Sequence, residues 1–348
     1  MADPAFQKAI VRGVLALPRP VLRLLSGGGV VYRGGRTLDP RFQFLAYQAR
    51  GMPPLESLSP AEARQASARA LRPLEGPLEP GVAIETLTIE SGDVATPARA
   101  YRPSDQDPRA PVIVYAHMGG GVIGDLDTCH GFCALLAAVA RAPVLSVDYR
   151  LAPEHRFPAG LEDVLDAFRW ARDNAGRFGA PAGLAAIGGD SMGGNFAAVI
   201  CQELRRHGEP QPAFQLLIYP AVDVASETQS MTTYADAYPL SRSLMLWFVG
   251  QYLGPDDDPA NPKLSPLKAS DLSGLAPAII ATAGFDPLVD QGEAYAKRLQ
   301  EAGAPIAYRC YDNLPHGYTA FIGVAPRAEV ACREIAGLVR ETIEGRLA

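Results

Sequence analysis

Leu184-Ala185-Ala186-Ile187-Gly188-Gly189-Asp190-Ser191-Met192-Gly193-Gly194-Asn195 is the stretch on which the fold turns. The apolar run Leu184–Ile187 has the length of a buried strand, and a helix-length segment, Gly193–His207, follows. Between them Gly189-Asp190-Ser191-Met192-Gly193 fits G-x-S-x-G in the strand–turn–helix setting that this pattern needs. Glycines flank the serine because so tight a turn leaves no room for Cβ atoms. The turn lifts the Ser191 hydroxyl out of the sheet and aims a helix N-terminus at any negative charge that develops beside it. The pattern alone also describes a glycine-rich turn with an incidental serine; the flanking elements favour Ser191 as a nucleophile.

Working outward, the chain alternates strand-like and helix-like runs from about residue 82. Short β-rich runs occur at Val82–Ile89, Val112–Ala116, Val144–Asp148, Phe214–Tyr219, Ala278–Ala283 and Ile306–Tyr311, with helix-length segments at Leu161–Arg177 and Gln291–Ala302. Such alternation predicts an α/β domain with a mostly parallel sheet covered on both faces, and the lack of polar alternation in the inner runs agrees. Between Asp223 and Ser265 the rhythm stops: no strand is expected there, only loop and one helix, Ser241–Leu253. Residues 1–80 differ in composition, being rich in Arg, Pro and Gly. They hold helical stretches at Phe42–Arg50 and from Ser59-Pro60-Ala61-Glu62, then punctuation by Pro73, Pro77 and Pro80. The expected organisation is an N-terminal segment, 1–80, and a catalytic domain, 81–348, with an insertion at about 223–260. Segment and insertion together could roof a site.

Three further groups bear chemistry. His117-Met118-Gly119-Gly120-Gly121 follows a strand upstream of Ser191, and its consecutive glycines leave bare backbone N–H groups to face a substrate oxygen. A phosphate-cradling loop is the alternative, but neither Walker A nor G-x-G-x-x-G is present. Of the five histidines, a base must follow the nucleophile in this chain order, which leaves His207 and His316. His207 ends the helix after Ser191, where an imidazole suits the negative helix terminus. His316, in Asn313-Leu314-Pro315-His316-Gly317 straight after a strand, is the expected base. The orienting acid should lie between, at a strand end. Asp286 in Gly284-Phe285-Asp286-Pro287-Leu288 fits, with Asp290 as competitor and more simply a residue of a first helical turn.

The bulk figures narrow the classes. The 348 residues are 48% hydrophobic and 20% charged, so a large core is available and global disorder is not expected. A net charge of −6 argues against nucleic acid as a partner. Five scattered cysteines suggest no disulfide framework and a cytoplasmic setting, and the cluster Cys129-His130-Gly131-Phe132-Cys133 lacks the second ligand pair of a zinc motif. The apolar stretch Ile10–Leu25 is broken by Arg12, Pro18, Arg19, Pro20 and Arg23, so neither a signal peptide nor stable membrane insertion is expected. An amphipathic helix covering the core, or lying on a membrane surface, fits it better.

Taken together the motifs resemble those of the bacterial hormone-sensitive-lipase-like esterases of the α/β-hydrolase fold. Beside the segments above, Asp148-Tyr149-Arg150-Leu151-Ala152-Pro153-Glu154-His155, Tyr219-Pro220, Ser265-Pro266-Leu267 and Asp286-Pro287-Leu288 with Asp290 and Gly292 carry the resemblance, which runs from about residue 37 to the end. It implies a helical cap from the N-terminal helices and an insertion after the sixth strand. It also implies hydrolysis of short- to medium-chain acyl esters by Ser191, His316 and Asp286, with no cofactor. The oxyanion donors would be the N–H groups of Gly119, Gly120 and Met192, and Met118, Gly121, Asp190 and Tyr219 would border the substrate pocket. His117, Glu154 and His155 would brace the oxyanion loop. The chain departs from the family pattern at Met118, usually glycine, at Gly121, usually aromatic, and at Met192, commonly alanine. The shape of the pocket there is what these changes affect. An acyltransferase shares this machinery; a small-molecule receptor shares only the fold and lacks the histidine, so the presence of His316 favours an enzyme. The sequence leaves a homodimer open.

Overall fold

The computed structural model describes residues 4–92 and 94–346. Its main sheet has eight strands: β1 (Val82–Ser91), β2 (Val94–Pro103), β3 (Val112–Ala116), β4 (Val144–Val147), β5 (Ala185–Asp190), β6 (Gln215–Ile218), β7 (Ala278–Phe285) and β8 (Ile306–Pro315). Their spatial order is β8-β7-β6-β5-β3-β4-β2-β1. From β8 to β4 neighbours are parallel, while β2 runs antiparallel to both β4 and β1.

Around the sheet lie α1 (Pro4–Leu15), α2 (Arg19–Leu25), α3 (Pro40–Ala49), α4 (Pro60–Leu71), α5 (His130–Ala140), α6 (Ala159–Asp173), α7 (Met192–Arg206), α8 (Gln229–Thr233), α9 (Arg242–Tyr252), α10 (Val289–Glu301) and α11 (Pro326–Ile343). The inner strands are buried on both faces, and their period of two splits the core. Val112, Val114 and Ala116 of β3 face one apolar layer, with Phe168 of α6 and Phe196 of α7. Ile113 and Tyr115 face the other, with Phe132 of α5 and Ile335 of α11. No helix among the described residues is long and apolar enough to cross a membrane.

The expected elements recur with ends shifted by a few residues, and three differences are informative. β2 was not among the expected runs. Its sequence, VATPARAYRP, alternates small buried residues with arginines and holds two prolines, so it lacks the apolar signature of its neighbours. The stretch Ile10–Leu25 is two helices, not one, because Pro18-Arg19-Pro20 cannot continue a helix. The interval 223–265 holds α8 as well as α9, started by the Thr228 side chain accepting from the N–H of Met231. At Ser59 the expected helix start is a full capping box with Glu62.

Candidate active site

Ser191 stands between β5 and α7 with φ 54° and ψ −114°, a left-handed conformation that costs a non-glycine residue about 1–3 kcal/mol. Neighbouring contacts hold it there. Its N–H donates to the Ile218 carbonyl at 2.9 Å, and its carbonyl accepts from the N–H groups of Asn195 and Ala221. The glycine after it is sterically forced: a Cβ on Gly193 would sit 1.9 Å from the Ala116 carbonyl oxygen.

The sheet brings two distant loops to this serine. His316 Nε2 lies 2.9 Å from Ser191 Oγ, and His316 Nδ1 lies 2.8 Å from Asp286 Oδ2. Asp286 also accepts the Leu288 N–H at 2.9 Å through its other oxygen and is fully buried. A carboxylate at Nδ1 favours the tautomer protonated there, which leaves Nε2 to accept the serine hydroxyl. Such a relay can draw the proton from Ser191 as its oxygen attacks an electrophilic carbon. His207 is far from this geometry, at the exposed end of α7 beside Arg206 and Glu203. Asp290 belongs to the first turn of α10 and accepts the Ser230 N–H at 2.7 Å, so it caps α8 instead.

Facing the serine is the loop 118–124. Gly119, Gly120, Gly121 and Gly124 all have positive φ, and a Cβ on Gly119 would strike the Ile123 carbonyl oxygen at 2.0 Å. The amides of Gly119, Gly120 and Met192 have no backbone acceptor among the described residues. Unpaired N–H groups at a cavity wall can stabilise an oxyanion. The loop is braced from both sides. His117 stacks on Tyr149 with ring centroids 4.3 Å apart and its Nδ1 is 2.7 Å from the Met118 carbonyl. Glu154 and His155 do not touch the loop: both are exposed, and Glu154 pairs with Arg64 of α4.

Arg64 gave no signal in the sequence, yet its guanidinium gathers three partners. It donates to the Val122 carbonyl at 2.8 Å, to the Ala152 carbonyl at 2.7 Å and to both Glu154 oxygens. The Ala152 N–H in turn donates to Gly121. This clasp holds the Glu154 carboxyl far below the usual range, at about 2, chiefly through the Arg64 hydrogen bond.

A cavity of about 210 Å³ opens beside Ser191. Met118, Gly119, Gly120, Met192 and His316 line it together with Ser191, and Leu71, Leu244 and Phe248 are among its apolar residues. Much of the rest of its lining comes from residues 55–71 and the interval 221–253, with Leu264, Leu288 and Phe321 among the others. No other described residue of the N-terminal segment lines it. Leu15, Leu38 and Phe42 instead join the core layer on the α5–α11 side.

Gly121, Asp190 and Tyr219 do not line the cavity, contrary to expectation. Tyr252 of α9 covers Gly121, whose added Cβ would meet that ring at 2.7 Å. Asp190 is fully buried and accepts from Tyr219 Oη (2.8 Å), Thr319 Oγ1 (2.9 Å) and Cys129 Sγ (3.4 Å). Burial and this carboxyl push the Tyr219 phenol and the Cys129 thiol well up. The Tyr219 ring packs on the His316 imidazole at 4.7 Å between centroids, so this network steadies the histidine loop rather than meeting a ligand. Thr319 was missed because a lone threonine after a histidine carries no pattern. The Met118 thioether lies beside Gly317, where a Cβ would be 3.5 Å from its Sδ.

With this geometry in hand, comparison with known proteins places the chain. A model of the α/β-hydrolase fold matches residues 113–320. The chain is 42% identical over 333 residues to the carboxylic ester hydrolase LipN of Mycobacterium tuberculosis, covering 93% of this chain and 88% of that protein. The chain belongs to the hormone-sensitive-lipase-like esterases of the α/β-hydrolase fold. It is similar to further ester hydrolases. The ethyl acetate hydrolase of Pseudomonas putida is 35% identical, with 79% of this chain and 88% of that one covered. Among solved structures, an ester-hydrolase from the metagenome of Lake Arreo, complexed with a bipyridine phosphonate derivative, superposes with a TM-score of 0.82 at 38% identity. That match covers 93% of this chain and 98% of the other.

Proposed function

We propose that this esterase hydrolyses carboxylic esters of short- to medium-chain acyl groups through an acyl-enzyme on Ser191. The observation that carries the proposal is the Asp286–His316–Ser191 relay, with bonds of 2.8 and 2.9 Å, opening on a cavity with apolar walls. His316 takes the Ser191 proton, Ser191 attacks the ester carbonyl, and Asp286 holds the imidazole in its useful tautomer. The N–H groups of Gly119, Gly120 and Met192 bind the oxyanion of the tetrahedral intermediate. His316 then protonates the departing alcohol, and water, deprotonated by the same imidazole, releases the acid. No step draws on a metal or organic cofactor. Residues 55–71 and 221–253 act as a cap that shapes the acyl site, and the five free thiols suit a cytoplasmic setting.

A series of p-nitrophenyl esters from acetate to palmitate, assayed with and without an added alcohol, tests the reading. It predicts kcat/KM highest for the shorter and middle chains and free acid as the main product. Ester exchange to the alcohol as the dominant product would make the protein an acyltransferase. No turnover of any ester would overturn the proposal.

A further inference from the structure

Twelve large apolar side chains stand exposed among the described residues, and eight of them fall between Ile10 and Met52. The same segment is the most basic part of the chain. Residues 1–52 carry eight basic and two acidic side chains, a net +6, in a protein of net −6, so the remaining residues sum to −12.

α2 shows how the two properties combine. Leu22 points into the fold and is fully buried, whereas Val21, Leu24 and Leu25, spaced i, i+3 and i+4, point outward. Leu24 is 75% exposed. Arg19 and Arg23 flank this stripe one turn apart, and neither has a carboxylate within ion-pair distance among the described residues. The patch continues across the exposed Gly27-Gly28-Gly29 turn, which packs on Tyr47 of α3, and the Arg50 guanidinium lies over that ring. It ends at exposed Met52, three residues before Leu55, which lines the cavity beside Ser191.

An apolar stripe bordered by uncompensated arginines on a short helix is the pattern of a segment that lies in a lipid headgroup region. We propose that this face binds an anionic lipid surface peripherally, with Val21, Leu24 and Leu25 at the headgroup–acyl boundary and Arg19, Arg23 and Arg50 against lipid anions. A second copy of the chain is the poorer partner, because joining two such faces opposes +6 to +6. The negative remainder of the molecule would turn away from the same surface, which orients it. Docked in this way, the enzyme receives esters carried in the lipid phase at the Met52–Leu55 side of its cavity. The surface contact itself stands independently of the ester-hydrolase reading.

Vesicle sedimentation tests it, with phosphatidylcholine alone and phosphatidylcholine mixed with phosphatidylglycerol. The wild-type protein should pellet with the mixed vesicles and far less with phosphatidylcholine, and added salt should release it. Leu24→Ser/Leu25→Ser and Arg19→Glu/Arg23→Glu should each lower vesicle affinity by about tenfold or more, with circular dichroism and turnover of a soluble p-nitrophenyl ester unchanged. Three results would overturn it: wild-type protein remaining in the supernatant with both vesicles, equal binding to both, or binding indifferent to the two double substitutions. A dimer seen by sedimentation velocity that Leu24→Ser/Leu25→Ser dissolves, with no vesicle binding, would assign the face to self-association. Loss of ester turnover with vesicle binding intact would strike the proposed function alone.

Discussion

Asp286 reaches His316 at 2.8 Å, while Asp290, four residues further on, is spent on the N–H of Ser230. The two carboxylates therefore separate in their consequences. Asp286→Asn should lower kcat on p-nitrophenyl butyrate by about 10⁴-fold, since the imidazole loses the partner that fixes its tautomer. Asp290→Asn should leave kcat within a few-fold and stability little changed, because an amide oxygen can still accept the Ser230 N–H. The opposite ranking in steady-state kinetics would move the orienting acid to Asp290.

The Arg64 clasp ties α4 to the loop that carries Gly119 and Gly120, by way of the Val122 and Ala152 carbonyls. Arg64→Ala should reduce kcat more than it raises KM, because the oxyanion donors lose their brace while the apolar walls persist. Wild-type kcat together with a raised KM would show that Arg64 serves only the cap.

The partner of that clasp gives a pH dependence. The Glu154 carboxyl is lowered from 4.5 to about 2 in the folded chain, so its charged form is the one folding favours. Its contribution is present in full above pH 4.5 and fades as pH falls from there through about 2. Both side chains are partly exposed, so the contribution is at most about 1 kcal/mol. Denaturant melts of wild type and Glu154→Gln should differ by a constant amount from pH 5 to 8 and converge below that range. A difference that grew toward acid would contradict the assignment.

Much of the candidate site was legible because Ser191, His316 and Asp286 each follow an apolar strand directly, and order along the chain then separates His316 from His207. The fold was legible for the same reason, through inner strands buried on both faces. What escaped notice lies where pattern and structure part. β2 borders antiparallel neighbours and needs no apolar run. Arg64 and Thr319 act through contacts to distant segments, among them Val122, 58 residues from Arg64, and Asp190, 129 residues from Thr319. Asp190 and Tyr219 stand near site residues in sequence but are buried in a hydrogen-bond network with Thr319, outside the cavity lining, which no motif records.

α9 packs directly against the glycine loop that faces Ser191. Phe248 and Tyr252 press on Gly120 and Gly121, and a Cβ on Gly120 would lie 2.3 Å from the Phe248 ring. Gly120→Ala should therefore lose most activity, and Phe248→Ala added to it should recover part of the loss. A coupling of about 0.5 kcal/mol or more in kcat/KM is expected for residues in such contact. Strict additivity would mean that the loop's backbone conformation alone sets the cost.

Formation of a covalent acyl-enzyme on Ser191 is tested most directly by trapping. Wild-type protein treated with a p-nitrophenyl alkylphosphonate should lose activity in step with one adduct per chain, and peptide mass spectrometry should place that adduct on Ser191. Ser191→Ala, folded by circular dichroism, should take up no adduct and turn over p-nitrophenyl butyrate at least about 10³-fold more slowly. An adduct on another residue, or a Ser191→Ala protein that keeps most of its turnover, would contradict the account.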